Sequence, residues 1–94
     1  MKLVVDATAW SDLNDIGTWI GKDSPAAARQ ILRRILQTIE LLHRFPGLAR
    51  PGRAQRTYER LVAGTPYIIV FELSEHPAAM IITAVVHGAE IDKA

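Results

Sequence analysis

Ninety-four residues with no cysteine and a formal net charge of +1 describe one small domain, 1–94, of the size that folds around a single core. The lack of cysteine excludes a disulfide scaffold, a zinc finger, an iron–sulfur site and a thiol nucleophile. A chain that is 49% hydrophobic and 22% charged has the profile of a globular protein and not a disordered one. Apolar runs such as Ala78–Ile82 are far shorter than the roughly 18 residues of a membrane-spanning helix. Met1–Asp6 lacks the apolar stretch of a signal peptide, so a cytoplasmic protein with no membrane partner is expected.

The near-neutral total hides a strong asymmetry. Residues 1–28 carry Lys2 and Lys22 against Asp6, Asp12, Asp15 and Asp23, a net −2. Residues 29–60 carry Arg29, Arg33, Arg34, Arg44, Arg50, Arg53, Arg56 and Arg60 against Glu40 and Glu59, a net +6. Residues 61–94 return to −3, with Lys93 against Glu72, Glu75, Glu90 and Asp92. Every arginine of the chain lies in the middle block, which has no lysine. Guanidinium groups suit forked contacts to carboxylate or phosphate, so the middle of the chain is expected to meet an anionic partner.

Lys2–Val5 reads as a short strand. Asp6 can cap a helix that starts at Ala7, in which Ala9, Leu13, Ile16 and Ile20 form one apolar stripe. Asp12 and Asp15 near its start suit the helix dipole, and Gly21-Lys22-Asp23 ends it. Ser24 as N-cap and Pro25 at the first helical position start a second helix. Its buried stripe is Ala28, Ile31, Leu32, Ile35, Ile39 and Leu42, widened by Leu36 and Leu41. Arg29, Arg33, Gln37, Glu40 and Arg44 form a solvated opposite face, and Phe45-Pro46-Gly47 stops the helix. Helices joined by so short a turn form an antiparallel hairpin. Trp10, Trp19 and Tyr67 read as packing residues of the core or the hairpin.

Gly47–Thr57 reads as a loop, with two glycines, one proline and three arginines at Arg50, Arg53 and Arg56. Three strands follow, Tyr58–Ala63, Tyr67–Leu73 and Ala79–His87, joined by Gly64-Thr65-Pro66 and Ser74-Glu75-His76-Pro77, an antiparallel meander. The fold class is α+β: β-αα-βββ, an N-terminal strand and helical hairpin packed on a small antiparallel sheet. A sheet with one wet face should alternate apolar and polar residues. Here Tyr67, Ile69, Phe71 and Leu73 are apolar, and so are Ile68 and Val70 between them. On the last strand the alternation places Met80, Ile82 and Val86 on one side and Ile81 and Val85 on the other. The helices can cover one face only, which leaves the second for the chain's own loops or for a partner.

The order of these elements, with DLNDIGTWI (12–20), SPAAARQILRRILQTIELL (24–42), FPGLARPGR (45–53), PYIIVFEL (66–73) and ITAVVHGAE (82–90), resembles the RelE/ParE superfamily of toxins from type II toxin–antitoxin pairs. The resemblance covers almost the whole chain. It implies one of two activities. RelE-like members are ribosome-dependent messenger-RNA endonucleases, and ParE-like members inhibit DNA gyrase by binding. The endonuclease needs a base, an acid and cations around the scissile phosphate, supplied in relatives by lysines, arginines and a tyrosine or histidine.

This chain has no lysine between Lys22 and Lys93. It has Ala84 and Glu90 where relatives often carry arginine, Glu59-Arg60 in place of the usual Arg-Glu order, and no tyrosine in the tail Glu90–Ala94. The resemblance therefore implies a ParE-like toxin that is no enzyme and needs no cofactor. Its partners would be a ParD-like antitoxin with a flexible acidic segment, and DNA gyrase as target. Arg50, Arg53, Arg56, Arg60 and His87 are the implied binding residues. The alternatives are a RelE-like nuclease using His87 with Arg53, Arg56 and Arg60, or a degenerate toxin that binds only its antitoxin. Three histidines, His43, His76 and His87, lack metal-ligand spacing. A charge of +1 and helices without recognition-helix character argue against direct DNA binding.

Overall fold

The computed structural model describes residues 1–91, and of Glu90 and Ile91 only the backbone; the tail reading at 92–94 lies outside them. The elements are β1 (Lys2–Val5), α1 (Ala7–Gly21), α2 (Pro25–Arg44), a 3-10 turn (Pro46–Leu48), β2 (Arg50–Pro51), β3 (Tyr58–Leu61), β4 (Tyr67–Glu75), β5 (Ala78–His87) and α3 (Gly88–Ile91). The helix starts are those the capping residues dictate. Asp6 Oδ1 accepts the N–H of Ala9 at 3.0 Å and Ser24 Oγ that of Ala27 at 3.1 Å, and Pro25 opens α2.

The strands form one five-stranded sheet in the order β1-β5-β4-β3-β2. The meander is antiparallel, but β1 runs parallel to β5, with Lys2 opposite Ala79 and Val5 opposite Ile82. The sheet is therefore mixed, and not purely antiparallel. The helical hairpin is the reason: it carries the chain back across the sheet before β3, which leaves β1 to lie beside the last strand. The segment 47–57 is also less featureless than its composition suggests. Arg50 and Pro51 pair with Glu59 and Tyr58 as a two-residue fifth strand. In exchange β3 ends at Leu61, two residues earlier than its apolar run.

The hairpin packs on one face of the sheet. Ala9, Leu13 and Ile16 of α1 and Ile35, Ile39 and Leu42 of α2 meet Tyr67, Ile69 and Phe71 of β4 and Met80, Ile82 and Val85 of β5. Tyr58 of β3 stacks on Phe71 with centroids 5.5 Å apart. Each fully buried aliphatic or phenyl side chain contributes about 1.5–3 kcal/mol. A register shift between Val70 and Phe71, which face Ala84 and Ile82, leaves Thr83 as an extra residue on β5. This β-bulge reverses the sides of the last turns of β5. Val85 therefore joins Met80 and Ile82 in the core, and Val86 joins Ile81 on the far side, the opposite of simple alternation.

Three other expectations change. Trp10 and Trp19 are 58% and 71% exposed, so neither belongs to the core, whereas Tyr67 is buried as expected. Trp10 flanks the seam of the hairpin with Leu13, Leu32 and Leu36, and Trp19 carries the ammonium of Lys22 5.4 Å from its ring centroid. Leu36 and Leu41 are exposed, because the stripe that faces the sheet is already filled by Ile35, Ile39 and Leu42. Asp12 and Asp15 both lie beyond the first turn of α1, which holds no acidic residue. Asp12 Oδ2 instead accepts the N–H of Val85 at 2.9 Å, at a point where β1 has ended and β5 has lost that neighbour. Among the described residues no helix is long and apolar enough to cross a membrane.

Candidate functional site

The face of the sheet away from the hairpin carries the features that a core does not explain. Register places Glu59 opposite Val70 and Leu61 opposite Ile68, with Val86 and Ala84 next in line on β5 and Val4 opposite Ile81. These apolar side chains are half-buried or exposed except Ile68, which lies 3.7 Å from where a β-carbon on Gly88 would stand. Among the described residues, then, α3 and the 50–57 segment are what borders this face.

Between those two borders runs a groove of about 820 Å³, whose lining includes Arg50, Arg53, Glu59, Arg60, Leu61 and Ile68. The sequence explains how its rim is held. Gly52 N–H donates to Thr57 O at 2.8 Å, and Thr57 Oγ1 donates to Ala54 O at 2.7 Å, closing a tight loop over 52–57. Gly52 has no room for a side chain: a β-carbon would run into Thr57 Oγ1 and stand 3.1 Å from Glu59 Oε2. Arg56 takes a left-handed backbone conformation at φ +64°, costly for a residue with a β-carbon.

Glu59, 5% exposed, anchors this loop from the strand. Its Oε2 accepts the N–H of Arg53 at 3.0 Å, and Arg50 Nη2 lies 3.7 Å from Oε1. Arg60 Nη1 donates to Leu48 O at 3.0 Å, which ties the 3-10 turn to β3.

The structure thus brings Arg50, Arg53 and Arg60 together along one groove. Arg56 sits at the exposed tip of the same loop and is not part of the lining. His87 is placed differently. It lines a separate depression of about 320 Å³ with Asp12, Asp15, Trp19 and Tyr67. Its ring meets Tyr67 edge-on at 5.6 Å, and its Nδ1 accepts the N–H of Ala89 at 3.1 Å. Among the described residues no group of three or more His, Cys, Asp or Glu is arranged to hold a metal ion.

Sequence reasoning missed Glu59. A single glutamate beside an arginine on a strand carries no mark of burial; the signal was its pairing partner Arg50, which becomes visible only once Arg50-Pro51 is known to be a strand. It missed also that Asp12, on α1, reaches β5.

A family model described as the ParE toxin of the type II toxin–antitoxin system, parDE, matches residues 3–92. A protein of Sinorhizobium fredii, "Putative toxin Y4kP", is 40% identical over 62 residues, which is 66% of this chain and 65% of that relative; the match thus spans just under two thirds of the relative's length. The solved structure titled as a chromosomal ParDE system of P. aeruginosa superposes with a TM-score of 0.82 at 17% identity, over 93% of this chain and 95% of the other. The RelBE2 toxin–antitoxin complex of Mycobacterium tuberculosis gives 0.66 at 22% identity over 92% and 95%. A YoeB/ParE toxin of Agrobacterium tumefaciens gives 0.66 at 18% identity over 93% and 98%. At such identities the superpositions establish the fold alone, and they include both branches of the superfamily. The family itself follows from the match over 3–92: the chain belongs to the ParE toxins of type II toxin–antitoxin systems.

Proposed function

We propose that the chain is a cytoplasmic toxin that inhibits DNA gyrase by binding, without catalysis of its own, and that a ParD-like antitoxin neutralises it by covering the second face of the sheet. The observation that carries this reading is the groove itself. It joins an uncovered apolar sheet face to Arg50, Arg53 and Arg60. Apolar anchors of an antitoxin segment would bury Leu61, Val70 and Ile81, and its carboxylates would pair with the arginines. Such charge pairs fix register and speed encounter, and the segment folds as it binds.

The separation of His87 from the arginine groove supports binding over RNA cleavage. A nuclease site needs its base and its cations around one phosphate. Here the histidine and the arginines line different depressions. Arg50, Arg53, Arg56 and Arg60 are the residues we assign to antitoxin contact. His87, next to Trp19 and Asp15, is free to serve contact with the target.

The test is a pair of assays on the purified chain: gyrase supercoiling, and messenger-RNA cleavage on ribosomes. Loss of supercoiling without RNA cleavage is expected. RNA cleavage that disappears in His87→Ala, with gyrase untouched, would reverse the reading. Inactivity in both assays by a folded chain that still binds its antitoxin would identify a degenerate toxin.

A further inference from the structure

Glu59 is the one charged side chain buried among the described residues, and only half of its carboxylate is satisfied. Oε2 has the N–H of Arg53 at 3.0 Å. Oε1 is buried without a hydrogen-bond partner. Arg50 Nη2 stands 3.7 Å from it, close enough to attract and too far to donate. A buried anionic acceptor in this state is costly, and it lines a groove wide enough for a chain segment. Arg50 itself is weakly held: its side chain is 69% exposed, on a strand of two residues.

We infer that the groove takes an extended acidic peptide segment of a partner protein through an exchange at Glu59. Arg50 swings from Glu59 onto a carboxylate of the segment, and a main-chain N–H of the segment takes its place as the donor to Glu59 Oε1. The inference rests on the reading of this face as the antitoxin surface and adds the residue that sets the segment's register. A peptide fits where a nucleic acid does not. Among the described residues the lining has no Phe, Tyr or Trp, and so no platform on which bases could stack. A neutral N–H fits Oε1 better than a lysine or arginine of the partner, which the cations at Arg50, Arg53 and Arg60 would repel. In an extended segment successive side chains point to opposite sides. Carboxylates can therefore reach the arginine rim while the residues between them lie on Leu61 and Ile68.

The probe is a capped six-residue peptide of alternating leucine and glutamate, titrated into the full-length chain and followed by amide chemical shifts. Shifts should concentrate at Arg50, Arg53, Glu59, Leu61 and Ile68. Methylating the peptide nitrogens one at a time should reveal a single position whose loss weakens binding about tenfold, as removal of a hydrogen bond to a charged group does. Glu59→Gln keeps an oxygen for Arg53 N–H and turns the other atom into a donor. In that variant the unmethylated peptide should bind about tenfold more weakly, and the methylation effect should vanish.

The outcomes that overturn the inference are separable. Absence of shifts at millimolar peptide, or shifts confined to α1 and α2, defeats the antitoxin-face reading and the inference with it. Groove shifts without a sensitive nitrogen, or with a methylation effect that persists in Glu59→Gln, leave the face standing and defeat the role of Glu59. Tighter binding of a six-nucleotide oligoadenylate in the same groove would replace the peptide by nucleic acid. The methylation series uses the native chain, so it stands even if Glu59→Gln fails to fold.

Discussion

The two faces of the sheet come from the same strands and are apolar to a similar degree, yet they behave differently. On the hairpin side Ile69, Phe71, Met80 and Ile82 are fully buried against Ile35 and Leu42. On the other side Val4, Val70, Ile81 and Val86 are half-buried and Leu61 is 55% exposed. The buried cluster of the first face is made of apolar side chains and Tyr67. The second is bordered by Arg50, Arg53 and Arg60 and has a carboxylate buried in its floor. An apolar pattern on both faces of a small sheet is therefore no guide to core size. One face stabilises the fold, and the other leaves apolar surface uncovered, the surface we assign to a partner.

The largest expected effect breaks the first face. Phe71→Ala should destabilise the fold by about 3–5 kcal/mol in a denaturant titration. Ile81→Ser on the opposite face should stay within about 1 kcal/mol while weakening antitoxin binding. Equal losses of stability from both would erase the distinction. Next is the loop that borders the second face. Gly52→Ala forces a β-carbon into Thr57 and Glu59 and should cost about 1–3 kcal/mol, with hydrogen exchange raised over residues 52–57.

Arg50→Ala with Arg60→Ala takes the neighbouring cation from buried Glu59 and the tie from β3 to Leu48, and should cost about 1–3 kcal/mol of stability. The same pair should weaken antitoxin binding about tenfold or more, by calorimetry. Ser24→Ala removes the N-cap of α2, far from the groove, and should cost about 1 kcal/mol with antitoxin affinity unchanged. The smallest effect belongs to the hairpin surface. Trp10→Gln should shift stability by about 0.5 kcal/mol or less and leave antitoxin binding intact; a large drop in affinity would move the antitoxin onto the helices.

The helices were legible because their signals are local. Asp6, Ser24 and Pro25 mark starts, and the 3.6-residue stripe marks the buried face. The uncovered face was legible too, in the failure of alternation at Ile68 and Val70. What stayed hidden depended on tertiary neighbours. The bulge at Thr83, which exchanges the sides of Val85 and Val86, has no local sequence mark. The tryptophans read as core or hairpin-packing residues; Ile35, Ile39 and Leu42 fill the core beneath the hairpin, and only Trp10 stays beside the hairpin seam. The arginine cluster at Arg50, Arg53 and Arg60 was readable from charge alone. The parallel pairing of β1 and the burial of Glu59 were not, because each depends on a strand that lies remote in sequence or is too short to recognise.

Hydrogen–deuterium exchange of the chain with and without its antitoxin, encoded by the short reading frame expected beside its gene, tests the division between the faces most directly. The expected result is new protection of the amides of residues 50–61 and of β4 and β5, with the amides of α1 and α2 unchanged. Protection confined to α1 and α2, with residues 50–61 exchanging as in the free chain, would contradict the assignment of binding to the uncovered face.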